Sequence, residues 1–252
     1  MRTRRNDMTQ KAWIFSLRFF LLLLFLVLLA GVFSFLAIHF QKGSAPTLSE
    51  PTLGFEQVVL DAGHGGEDGG AVSPQGYLEK ELNLSICKQM QILLESNKIP
   101  VVMTRTEDVL LYDRNVDYHG RKKALDLAAR KQIAEDCENS LFVSIHMNAY
   151  PLPQYHGLQV WFSPNHVLSQ SIAQQIQSTV ENELQPKNDR RIKEAGSGIY
   201  LLHHLQSPAV LIECGFLSNP EEAEALHSEE YQKQLAFLLT LSILQGENLS
   251  EK

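Results

Sequence analysis

Four side chains in this 252-residue sequence have the types and settings needed to hold a metal ion and move a proton: His64, Glu79, His146 and Glu213. His64 lies in Ala62-Gly63-His64-Gly65-Gly66, where the flanking glycines permit turns that bring a loop close to a ligand and leave the imidazole exposed. His146 follows the apolar run LFVSI. A histidine there is an odd core residue without a partner, and neutral imidazole is a common zinc ligand. Glu79 opens a helical pattern at Leu78 to Leu84, where a first-turn carboxylate can equally well offset the helix dipole. Taken singly, each residue has an ordinary explanation. Taken together, two imidazoles and one carboxylate are the three-ligand set of a catalytic zinc site, with one position left for water.

Glu213 ends the run Ala209 to Ile212, where a carboxylate without a partner or a job is costly. Proton transfer is such a job. Zinc lowers the pKa of a bound water, and Glu213 would take that water's proton as it attacks an amide carbonyl, then return it to the leaving nitrogen.

These residues need strand ends to position them, and the apolar runs supply candidates. Five short runs read as strands: VVLD at 58–61, PVVMT at 100–104, LFVSIH at 141–146, GLQVWF at 157–162 and AVLIE at 209–213. Helical patterns lie between and after them. Leu82, Ile86, Met90, Leu93 and Leu94 share one face, as do Ala124, Leu127, Ala128 and the aliphatic stem of Lys131. Two more helices fall at 169–184 and 229–244, and the acidic stretch Glu221 to Glu230 reads as a solvated helix surface. Alternating strands and helices predict a three-layer α/β domain with a mostly parallel or mixed sheet. In such sheets function gathers at the carboxyl ends of the strands, where His64, His146 and Glu213 fall.

Ahead of the domain, Phe19 to Ile38 carries no charge over roughly the 20 residues a membrane helix needs. Arg2, Arg4, Arg5, Lys11 and Arg18 precede it and place the N-terminus on the cytoplasmic side. The rival reading, a cleaved signal peptide, has small residues at Gly43-Ser44-Ala45 but too long an apolar core. The predicted organisation is a basic cytoplasmic segment at 1–18, a single-pass anchor at 19–40, a Ser/Thr/Gly/Pro-rich linker at 41–55, a catalytic domain at 56–246 and a tail at 247–252, with the domain outside the cytoplasm. Beyond residue 42 the chain holds 16 basic and 28 acidic side chains, a net of −12. That charge disfavours nucleic acid as a partner and suits an enzyme with a local cationic centre. Cys87, Cys137 and Cys214 are an odd set without metal-type spacing and read as free thiols.

The segments VVLDAGHGGEDGGA at 58–71, LEKELNL at 78–84, SIHMNA at 144–149 and LIECGFLSN at 211–219 resemble the zinc-dependent N-acetylmuramoyl-L-alanine amidases. The resemblance covers about residues 56 to 245. It implies that His64, Glu79 and His146 bind zinc, that Glu213 is the catalytic glutamate, that Arg105 and Asn148 line the crevice, and that the sheet has six strands. The substrate implied is peptidoglycan, cut between the lactyl group of N-acetylmuramic acid and L-alanine. Within the family the chain looks most like the germination-specific amidases that act in forming the muramic lactam of spore cortex. The anchor, the stretch Arg121 to Arg130, the run Ser197 to Leu201 and the lack of a wall-binding repeat carry that finer likeness. Ala62 and Cys214 depart from frequent family residues without removing a functional atom. Rival readings are another zinc hydrolase of the same polymer, a deacetylase or carboxypeptidase, and a wall-binding protein without catalysis. A need for an activating protein partner is a further one. For Arg105, pairing with Glu107 or Asp108 is an equal alternative to substrate contact.

Overall fold

The computed structural model describes residues 24, 25, 28–32, 54–113, 115 and 119–245. The predicted basic segment and tail lie outside the described residues, as does the linker apart from Gly54 and Phe55. Of the predicted anchor, only residues 24, 25 and 28–32 are described, and they are helical. No helix among the described residues is long and apolar enough to cross a membrane. The chain divides into two compact units, Met1–Pro51 and Thr52–Lys252, and the fold below is that of the second.

Six strands form one sheet: β1 (Gln57–Ala62), β2 (Val101–Met103), β3 (Ser140–Asn148), β4 (Gln159–Phe162), β5 (Lys193–Glu194) and β6 (Ala209–Phe216). Their order is β2-β1-β3-β6-β4-β5. The first four in that order run parallel, β4 runs antiparallel to β6, and β5 runs parallel to β4. The carboxyl ends of β1, β3 and β6 therefore meet the amino end of β4 along one edge. Reading apolar runs missed β5, because two exposed polar residues carry no hydrophobic period.

Six helices follow in chain order: α1 (Glu79–Ser96), α2 (Lys122–Glu135), α3 (Val167–Glu183), α4 (Tyr200–His204), α5 (Pro220–His227) and α6 (Glu229–Gln245). Alternation along the strands sends successive side chains to opposite faces. On one face Val58, Leu60, Leu141, Val143, Ile145, Val210 and Ile212 join Ile86, Met90 and Leu94 of α1, Ile172 and Ile176 of α3, and Leu235 and Leu239 of α6 in the main core. On the other, Val59, Phe142 and Ala209 pack with Ala134 of α2 and with Leu201, Leu202 and Leu205 in and after α4, a smaller core. Cys87 and Cys214 are buried free thiols within the larger core, and Cys137 is a free thiol at intermediate depth.

The face predicted for α2 is corrected. Ala124 and Ala128 are exposed, and the buried stripe is Asp126, Arg130 and Ala134. Hydropathy reads paired charges as solvent-facing, whereas here Arg130 Nε donates to Asp126 Oδ2 at 2.7 Å and Nη1 to Asp61 Oδ1 at 2.7 Å. The acidic stretch is likewise solvated only in part. Glu222 turns inward at the start of α5 and accepts from the backbone of Phe216 at 2.8 Å and of Gly157 at 2.9 Å.

Candidate metal centre

The loop after β1 carries His64 in the left-handed region at φ 63°, followed by Gly65 at 138° and Gly66 at 56°. A β-carbon residue held there costs of order 1–3 kcal/mol, so the loop has to be held by its surroundings. Two arginines hold it. Arg105, 3% exposed, donates from Nε to Ala62 O at 2.8 Å and from Nη2 to Gly63 O at 3.0 Å and Lys80 O at 2.8 Å. Arg130 donates to Ala62 O at 2.8 Å and His64 O at 2.7 Å. The sequence placed Arg105 at the crevice, either touching substrate or paired with an acidic neighbour. Its guanidinium grips backbone carbonyls beneath the His64 loop, and its Nη1 donates to the Glu107 carbonyl at 3.1 Å.

Glu79 begins α1 and is 3% exposed. Its Oε1 lies 3.2 Å from His64 Nε2 and 2.9 Å from His146 Nδ1, and accepts from Met147 N at 3.0 Å and more distantly from Asn83 Nδ2 at 3.4 Å. Its Oε2 accepts from Ala71 N at 2.7 Å. One ligand atom from each of His64, Glu79 and His146 falls within 4.8 Å of the others. Burial raises the Glu79 carboxyl, but hydrogen bonds and charge from His146 and His64 outweigh it and hold the group far below the usual range. Burial lowers His64, and Glu79 and Asp68 outweigh that to leave it above its ordinary 6.5.

Two glycines clear the space in which these atoms meet. A β-carbon on Gly63 would lie 2.2 Å from the His146 ring, and one on Gly70 would lie 2.5 Å from Glu79 Oε2 and 2.8 Å from His64 Cδ2. Two imidazole nitrogens on partly buried rings and one buried carboxylate, each oriented by neighbours, fit a first-row divalent ion. Asp68 Oδ2, 2.9 Å from His64 Nδ1, supplies the second carboxylate that commonly orients a metal-binding imidazole.

Glu213 of β6 stands directly opposite His146 of β3 in the parallel ladder and opposite Gln159 of β4 in the antiparallel one. Its Oε2 is buried with no hydrogen-bond partner among the described residues. Burial is the largest influence on it and, with Glu79, pushes its carboxyl above the ordinary 4.5, opposed by His146, His64 and Arg190. Beside it opens a cavity of about 440 Å³ lined by Asn148, Trp161, Gly196, Gly198, Ile199, Leu211 and Glu213. The structure thus brings His64, Glu79, His146, Glu213 and Asn148 to one edge of the sheet. Three supports escaped the sequence reading: Asp61, Asn83 and Arg130. The four-residue step from Asp126 to Arg130 was the available signal for the last.

The family described as N-acetylmuramoyl-L-alanine amidase matches residues 58–245. The chain belongs to that family. The germination-specific N-acetylmuramoyl-L-alanine amidase of Bacillus subtilis is 35% identical to this amidase over 187 residues, covering 74% of this chain and 78% of that protein. Among solved structures, the CwlD amidase of Clostridioides difficile, determined in complex with the GerS lipoprotein, matches with TM-score 0.73 and 34% identity over 77% of this chain and 100% of its own. The amidase AmiC2 of Nostoc punctiforme matches with TM-score 0.62 and 32% identity, covering 75% and 94% respectively.

Proposed function

We propose that this amidase uses zinc at His64, Glu79 and His146, with Glu213 as the proton-transfer group, to cleave the amide joining the lactyl group of N-acetylmuramic acid to L-alanine. The observation that carries the role of Glu213 is its orphaned Oε2 in a carboxylate facing His146 across the ladder. Zinc, when bound, supplies Lewis acidity, acidifying water and polarising the amide carbonyl.

The chain's own residues do the rest. Glu79 Oε1, fixed by the Met147 amide and Asn83, is aimed between the two imidazoles, and Arg105 and Arg130 keep the His64 loop in its strained turn. Glu213 accepts a proton from the water that attacks the lactyl carbonyl carbon. As the carbon–nitrogen bond breaks, it gives that proton to the departing alanine nitrogen, leaving a lactyl carboxylic acid and a free stem peptide. Asn148, on the cavity wall beside Glu213, orients the substrate amide.

The biological reading is cortex remodelling in spore formers, in the step that yields muramic lactam. It is supported by the likeness to the germination-specific enzyme. The GerS complex of the Clostridioides difficile relative supports a lipoprotein partner here too. The uncharged run from Phe19 to Ile38 behind its basic cluster supports a single-pass anchor with the catalytic domain outside the cytoplasm. The test is digestion of cortex and vegetative peptidoglycan by the zinc-loaded protein and by Glu213→Gln, read by mass spectrometry. Stem peptides beginning with L-alanine should appear with the wild type and fall by about 100- to 10,000-fold with the variant. A zinc-bound wild type that releases acetate or single amino acids in place of whole stems would sink the assignment.

A further inference from the structure

We infer that Arg190 recognises a carboxylate on the peptide stem, next to the bond that Glu213 helps to cut; the inference rests on that role of Glu213. Residues opposite one another in adjacent strands project to the same face, so His146, Glu213 and Gln159 form one row across β3, β6 and β4. Arg190 continues the row. Its Nη2 donates to Gln159 Oε1 at 2.8 Å, and its guanidinium lies 4.7 Å from the centre of the Phe216 ring. Gln159 is itself fixed, 3% exposed and donating to Arg191 O at 2.7 Å.

A guanidinium offers five N–H groups in a planar fork. Among the described residues the Arg190 side chain hydrogen-bonds through Nη2 alone, its backbone N–H being taken by Asn188 Oδ1, and Nε is buried without a partner. Among the described residues no carboxylate is ion-paired with the guanidinium, although its charge reaches Glu213 and Glu222 and the chain beyond residue 42 has a net charge of −12. A partly buried guanidinium with unused donors is suited to a bidentate anion, and carboxylate fits the fork. On the sugar side of the scissile bond the lactyl group is tied up as an amide and carries no charge. Free carboxylates can therefore come only from the peptide side, from acidic side chains or the chain terminus of the stem. Behind Arg190 the buried Phe216 ring backs the exposed Tyr155 and Tyr150, with ring centres 6.3 and 4.8 Å apart, and the two tyrosines offer a face along which a stem can lie.

The test uses two muramyl peptides that differ only in the second stem residue, one with its carboxylate free and one with it as a primary amide. Wild type, Arg190→Gln and Arg190→Lys, all zinc-loaded and matched in Tm, are compared on both. The wild type should favour the acid form by about 10- to 100-fold, expressed in KM rather than kcat, with Arg190→Gln treating the forms alike and Arg190→Lys keeping part of the preference. Equal handling by the wild type, or a preference that survives in Arg190→Gln, overturns the inference. If the zinc-loaded wild type cleaves neither form, the role of Glu213 falls. Calorimetry with the corresponding free stem peptides then decides for Arg190: an acid preference present in wild type and lost in Arg190→Gln sustains it, and any other result removes it.

Discussion

Replacing Arg130 with methionine should destabilise the domain far more than an ordinary charge deletion. Arg130 is 2% exposed, and its removal strands Asp61, 1% exposed, and the buried Asp126, both paired to it at 2.7 Å. Taking one member from a buried pair costs about 3–5 kcal/mol, because the remaining charge is left without compensation. Methionine fills much of the volume, so little of that loss comes from a cavity. For a domain of this size the expected fall in Tm is about 6–20 °C. The pH dependence carries the sharper signature. In the wild type burial raises the Asp61 carboxyl, but Arg130 and the Ser144 hydroxyl outweigh it and leave it lowered. Its contribution is therefore present above the unfolded value of about 3.9 and lost as pH falls through the lower folded value. Without Arg130, burial dominates and the folded value rises above the unfolded one. Asp61 then stabilises most below about 3.9 and loses that contribution as pH rises through the raised value. The variant's deficit should narrow as pH falls from about 7 toward the unfolded value of about 3.9 in urea unfolding, and Asp61→Asn on the Arg130→Met background should recover at least about 1 kcal/mol. A cost under about 1 kcal/mol at pH 7, or a deficit that widens in acid, would refute the assignment of this pair as a buried structural charge cluster.

Other outcomes follow from the same geometry. Gly63→Ala places a β-carbon 2.2 Å from His146 Cε1 and Nε2, so the ring must move and zinc affinity should drop by more than about tenfold with circular dichroism unchanged; wild-type affinity by calorimetry would show that the ring is not a ligand. Asn83→Leu removes the donor to Gly63 O and to Glu79 Oε1 in a fully buried position, and should weaken zinc binding by about 10- to 100-fold with a stability cost near 1–3 kcal/mol. In the metal-free protein the raised His64 contributes stability that is fully present below its unfolded value and lost as pH rises through the folded one. A metal ion held by His64 would have to displace that proton, so zinc affinity should fall as pH drops below the raised value, by about tenfold per unit for each proton released, and buffer-dependent calorimetry that finds no proton release would contradict it.

What the sequence showed and what it hid separate along one physical line. His64, His146 and Glu213 were legible because each interrupts or ends an apolar run, so that a polar residue stands where packing would put none. Glu79 was legible only in combination, since its place in a first helical turn has a commoner explanation. The residues that were missed are polar groups satisfied by partners distant in sequence. Arg130 reaches Asp61 across 69 positions, and its helix presents Asp126, Arg130 and Ala134 inward while Ala124 and Ala128 face water. Hydrophobic periodicity takes charge as a sign of exposure, and that inference fails wherever charges are buried in pairs. Glu222 escaped for the same reason, its carboxylate spent on the amides of Phe216 and Gly157. Arg190 sits in the irregular stretch between α3 and β5, where no period exists to be broken.

The division of the two sheet faces explains why these hidden residues gather where they do. The face toward α1, α3 and α6 is almost wholly apolar and carries the larger core. The opposite face trades packing for polar groups as it approaches the carboxyl edge: Val59 gives way to Asp61, Phe142 to Ser144 and His146, and Leu211 to Glu213. Ser144 Oγ donates to Asp61 Oδ2 at 2.6 Å, and Thr104 Oγ1 donates to Asp61 Oδ1 at 2.8 Å. Asp61 in turn anchors the arginine that holds the His64 carbonyl at 2.7 Å. The strained turn that presents His64 is therefore held by a buried electrostatic chain, which has few alternative arrangements, rather than by interchangeable apolar contacts. A substitution in that chain should weaken zinc binding even where no ligand is touched, so Arg130→Met that is still folded at low temperature should bind zinc less tightly than wild type. A folded variant with unaltered affinity would separate the support of the fold from the support of the site.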